Sequence, residues 1–161
     1  MKKLGIALIG TLLVVGVGLG LFWLVSQEDA PEAEPVARFS LSEEMYGQGE
    51  FREITAEEFA RLVAERKSFV VVVHMVICPA EFPVTSIAKQ LAHEDDLVIY
   101  GLTEEEFKQT ELAQKIKYLP SVAIYHAGEL VAYLDAESDE DLPYYQTIGG
   151  LRQWLRTYID K

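Results

Sequence analysis

The sequence predicts an α/β domain built on a four-stranded mixed sheet flanked by helices and preceded by one N-terminal transmembrane helix. Three observations carry this reading. Phe69 to Met75 is a near-continuous apolar run rich in valine, the pattern of a central strand covered on both faces. Helical and strand patterns then alternate in the order α-β-α-β-α-β-β-α, which lays helices against a partly parallel sheet. Leu4 to Val25 carries no charge and exceeds the roughly 20 residues that cross a bilayer.

Residues 1–25 read as a signal anchor. The apolar run is longer than the roughly 7–15 residues of a cleaved signal peptide, and no small-x-small site closes it. A late-cleaved signal peptide is the alternative. Lys2 and Lys3 precede the run, and Glu28 and Asp29 follow it. That bias places the N-terminus in the cytoplasm and the rest outside, as a single-pass protein of the cell membrane with an extracellular C-terminal domain. Residues 26–50 are acidic, hold Pro31 and Pro35 and lack sustained periodicity, so they read as a linker. Residues 51–161 have the size of one ordinary domain.

Within that domain, Thr55-Ala56-Glu57-Glu58 is a capping-box pattern. Phe59, Leu62 and Val63 extend a helix to about Arg66. After the valine strand, Pro79 to about His93 reads as a helix with Val84, Ile87, Ala88 and Leu91 on one side. Pro83 kinks or restarts it. Leu97 to Tyr100 is a second buried strand. Thr103 to Glu106 is another capping box, and Phe107, Leu112 and Ile116 continue that helix. Two strands, Ser121–His126 and Glu129–Leu134, flank the hairpin turn Ala127-Gly128. An acidic loop, Asp135 to Leu142, leads to a last helix from Ile148 to Ile159. The crossover helix makes the first two strands parallel, and the hairpin makes the last two antiparallel.

Charge and cysteine usage narrow the function. The formal net charge is -12 at pH 7, which argues against nucleic acid and against anionic lipid headgroups as partners. The chain has one cysteine, so it forms no internal disulfide. Cys78 is free, capped or paired with another chain. It stands where the valine strand gives way to a helix, followed by Pro79 at the first helical position. The unpaired N–H groups and positive dipole end of a helix start favour thiolate. His74, His93 and His126 show no ligand spacing with each other or with Cys78, and no cofactor or metal is expected.

The strand–turn–helix with Cys78-Pro79-Ala80-Glu81, the Lys117-Tyr118-Leu119-Pro120-Ser121 stretch ahead of a strand, and the Gly128 hairpin followed by an amphipathic helix together resemble the thioredoxin family. The likeness covers about residues 51–161. In detail it is similar to short, membrane-anchored thioredoxin-like proteins of Gram-positive bacteria, including bacteriocin transport accessory proteins. The resemblance implies a thioredoxin-like fold, a redox site at Cys78 and a cis-proline loop at Pro120. It also implies a groove formed by Ile77, Pro79, Leu119, Pro120 and Ser121, where an extended peptide pairs with free backbone groups. The departures are specific. Glu81 replaces the second cysteine, Ile77 replaces an aromatic residue, and Val71 to Val73 leave no place for a buried acid. Two registers fit. In the preferred one Cys78 is the first cysteine. In the other it is the resolving position, with Met75 at the nucleophile and Pro83 at the helix-kink proline.

One thiol can attack a disulfide but cannot resolve the mixed disulfide within the chain. Dithiol oxidoreductase activity is therefore not expected. A carboxylate at Glu81 raises the thiol pKa while the helix start lowers it. Alternatively Glu81 accepts the thiol proton as a base. The expected function is a membrane-tethered, redox-degenerate binding or accessory module whose clients are exported proteins or peptides. The alternatives are a monothiol oxidoreductase using Cys78, with a mixed disulfide to a partner thiol, and a secretion or transport subunit acting through its anchor.

Overall fold

A computed structural model describes residues 37–75 and 84–160. By compactness the chain divides into Met1–Pro35 and Val36–Lys161, and all the described residues belong to the second unit. The expected membrane span, Leu4 to Val25, lies outside them. Among the described residues no helix is long and apolar enough to cross a membrane.

The elements are β1 (Glu50–Glu53), α1 (Ala56–Ala64), β2 (Phe69–His74), α2 (Val84–Asp95), β3 (Val98–Thr103), α3 (Glu104–Phe107), β4 (Ser121–His126), β5 (Glu129–Tyr133), α4 (Leu142–Gln146) and α5 (Ile148–Tyr158). One sheet runs in the order β1-β3-β2-β4-β5. β3 is parallel to both β1 and β2, whereas β4 is antiparallel to β2 and to β5. The chain steps over β3 to reach β2 and then steps back, so right-handed crossovers place α1 and α2 on opposite faces.

β2 sits at the centre because its side chains accept burial on both sides: Phe69 through Val73 are all at 0% exposure. On the α1 side the core is aromatic. Phe69 stacks on Tyr125 with centroids 4.9 Å apart, and Phe59 of α1 meets both rings edge-on. α2 packs on β1, β2, β3 and α5. Arg152 of α5 ties that pair together through Asp95 and Glu94 of α2.

The sheet has five strands where four were expected. The additional strand, β1, reads Glu-Phe-Arg-Glu, and three of its four residues are exposed. An edge strand joins through backbone pairing and needs no apolar alternation. Phe51 and Glu53 cross β3 where it carries Gly101, whose missing Cβ would collide with both side chains. The acidic stretch expected to be a linker is also packed over its last part. Phe39 pairs with Ile159, Tyr46 pairs with Leu97, and Leu41 and Met45 are buried. The folded body thus starts ahead of Phe51.

Both capping signals operate, though differently. Thr55 and Glu58 form the full box at the start of α1. Thr103 caps Glu106, but the Glu106 carboxylate accepts the Ala56 N–H at 2.7 Å, joining α3 to the first turn of α1. The single helix expected from Thr103 to Ile116 is broken. The Thr110 hydroxyl and N–H both donate to the Phe107 carbonyl, ending α3, and a 3-10 turn follows at Glu111–Gln114. The hairpin turn has positive φ at Ala127 (50°) and Gly128 (81°), as a two-residue turn matched to strand twist requires. A side chain at Gly128 would strike the Val63 carbonyl.

Candidate functional site: a cleft at the end of the central strands

β2 ends at His74 and β4 begins at Ser121, and the two strands are in register at Val73↔Ser121. That pairing brings the residue before β4, Pro120, beside the end of β2. The Leu119–Pro120 peptide is cis, at the position where the resemblance implied a cis-proline. Met75, the next residue after β2, opens onto a cleft of about 400 Å³. Leu119 and Pro120 line it with Tyr118 and Phe107, while Glu104, Lys108, Lys117 and Glu137 bring charge to it.

The expected groove residues separate into three groups. Leu119 and Pro120 line the cleft. Ser121 turns away from it: the residue is fully buried and its hydroxyl donates to the Leu134 carbonyl at 2.7 Å. This side chain pins the start of β4 to the chain leaving β5. Ile77, Cys78, Pro79 and Glu81 lie outside the described residues.

Leu119 is half-buried, and neither of its backbone groups is hydrogen-bonded to another described residue. The Pro120 carbonyl has a different fate. It accepts the buried Tyr145 hydroxyl at 3.2 Å, a bond supplied by α4. Burial first, then the negative charges of Asp141 and Asp135, hold that phenol well above the ordinary tyrosine range, so it remains a donor. Tyr145 belongs to the core, and it also fixes the backbone beneath the cleft. A buried tyrosine two residues after Pro143 gives no sequence signal of that second role.

Several other polar groups have partners within the fold. His74 Nε2 is 2.9 Å from Glu53 Oε1, across β3. Lys108 pairs with Glu104 one turn earlier. His126, at the opposite end of the hairpin strand, meets the Ser68 hydroxyl at 3.0 Å and lies against the Phe39 ring. Among the described residues no three His, Cys, Asp or Glu side chains gather as a metal ion would need.

Comparison with solved structures settles the architecture. A thioredoxin-fold protein assigned as an oxidoreductase superposes with a TM-score of 0.51 at 20% identity, covering 68% of this chain and 96% of its own. The fold is thioredoxin-like. A reduced thioredoxin pre-protein from Schistosoma mansoni (TM-score 0.49, 19% identity, 68% of this chain and 99% of that one) and spinach chloroplast thioredoxin f (TM-score 0.45, 23% identity, 66% and 96%) are also similar. At these identities the likeness is one of fold. No protein-family model matches the chain, and no curated protein matches it.

Proposed function

We propose that this protein is a membrane-tethered, extracytoplasmic thioredoxin-like module that binds exported proteins or peptides without completing a dithiol redox cycle. The observation that carries the reading is a pairing of features. The fold keeps an open cleft at Met75, Leu119 and Pro120, while the chain holds a single cysteine. Cys78 follows Met75 by three residues in the sequence. With Glu81 three residues on, no second thiol closes an intramolecular disulfide. The backbone of Leu119, which has no hydrogen bond to another described residue, suits the addition of an extended client strand, a mode that needs no electron transfer.

The tether, Leu4 to Val25 with Lys2 and Lys3 ahead of it, is supported by apolar length and charge bias. The likeness to bacteriocin transport accessory proteins supports an accessory role in export. In the second reading, favoured by the sequence pattern of a valine-rich run followed by Cys78-Pro79, the Cys78 thiolate attacks a client disulfide. It forms a mixed disulfide and releases one client thiolate, and an external thiol then resolves the bond.

The test uses the full chain in detergent micelles. Binding of an extended peptide should be equal for the parent and Cys78→Ser, and insulin reduction driven by dithiothreitol should not exceed background. Reduction at a rate typical of dithiol proteins would overturn the reading. Loss of client capture in Cys78→Ser would replace it with the monothiol cycle.

A further inference from the structure

The cleft carries two charges that are unpaired among the described residues. Lys117 comes from the loop before β4 and Glu137 from the loop after β5, and both line the same space. Lys108, also in the cleft, is paired with Glu104. Lys117 has no ion-pair partner among the described residues although acids outnumber bases 26 to 14 in the chain. Glu137 also has none there, its only bond being a backbone N–H to Asp135. The same cleft is lined by Met75, Leu119 and Pro120, whose side chains carry no charge to neutralise either group.

We propose that Lys117 and Glu137 fix the direction of a bound peptide strand. Its acidic side chain lies at Lys117, its basic side chain at Glu137, and an apolar residue between them sits on Met75 and Leu119. This rests on the peptide-binding reading given above and specifies its ligand: an extended segment with one acid and one base separated by an apolar stretch. Opposite charges across paired strands attract and like charges repel. A strand bound backwards therefore meets two repulsions in place of two attractions. Such pairs select orientation more than they add affinity.

Two capped peptides of identical composition test this, one reading acid–apolar–base and the other base–apolar–acid, titrated into the full chain in micelles. One order should bind tighter by about three- to tenfold at low salt, the scale of two exposed ion pairs, and the gap should close at high salt. The double variant Lys117→Glu/Glu137→Lys should reverse the preferred order. Both residues are exposed, so an unchanged circular dichroism spectrum will confirm the fold. Equal binding of the two orders, or an unreversed preference in the double variant, would overturn the inference and leave peptide binding standing. Binding of neither peptide would remove the peptide-binding reading and this inference together.

Discussion

The interior of the sheet and the cleft at its end are built on opposite terms. In the interior, β2 is fully covered, and Phe59, Phe69 and Tyr125 interlock at centroid distances of 4.9–6.0 Å. At the cleft, one residue beyond the same strand, Tyr118 is 45% exposed, charged side chains stand open and the Leu119 backbone has no hydrogen bond to another described residue. The difference shows where this fold is stabilised and where it is free to vary. The interior secures the position of Leu119–Pro120, and the cleft can carry any chemistry without unfolding the sheet.

Phe69→Ala and Tyr118→Ala test that division most strongly. Phe69 touches three aromatic rings at 0% exposure, so its truncation should cost about 3–5 kcal/mol through lost burial and a residual cavity. Tyr118→Ala, on the cleft rim, should shift stability by no more than about 0.5 kcal/mol. Urea denaturation of both variants checks this, and comparable losses would erase the contrast.

Alkaline pH sharpens it. Tyr125 in the interior and Tyr145 beneath the cleft are both held above the ordinary value of 10. For Tyr125 the causes are burial and then the charge of Glu111. For Tyr145 they are burial and then Asp141 and Asp135. An unfolded chain releases these protons near pH 10, while the folded chain retains them. Stability is therefore fully present below pH 10 and falls as pH rises above it, by about 1.4 kcal/mol per unit for each phenol. Between pH 9 and 11 the urea midpoint should drop by the equivalent of about 2–3 kcal/mol. A flat profile would mean that neither phenol stays neutral in the fold.

The same contrast explains what the sequence revealed. Elements with a local sequence pattern of their own announce themselves: the buried valines of β2, the Thr55–Glu58 box, the glycine turn at Gly128. Elements held by backbone pairing or by single polar contacts write none. β1 is mostly charged, and residues 39–46 join the body through Leu41 and Met45 set among acids. α3 stops at a hydroxyl bond from Thr110 that its apolar spacing does not foretell. At the site, Pro120 was legible as a proline ahead of a strand. The inward turn of Ser121 toward Leu134, the support from Tyr145 and the charges at Lys117 and Glu137 depend on loops brought together only in the folded chain.

The two buried tyrosines offer the finest test, because the same deletion should act with opposite sign. The Tyr125 hydroxyl is buried with no hydrogen-bond partner among the described residues, so the folded state keeps a desolvated donor for nothing in return. Tyr125→Phe removes that group while keeping the ring stacked on Phe69, and stability should hold or rise by about 1 kcal/mol. The Tyr145 hydroxyl donates to the Pro120 carbonyl at 3.2 Å in a buried setting. Tyr145→Phe leaves that carbonyl without its donor and should cost about 1–2 kcal/mol. It should also broaden the amide signals of Tyr118 and Leu119 in an NMR spectrum, which Tyr125→Phe should leave sharp. If both substitutions proved neutral and both spectra stayed unchanged, the cleft floor would owe its shape to packing alone, and Tyr145 would be no different from its counterpart in the interior.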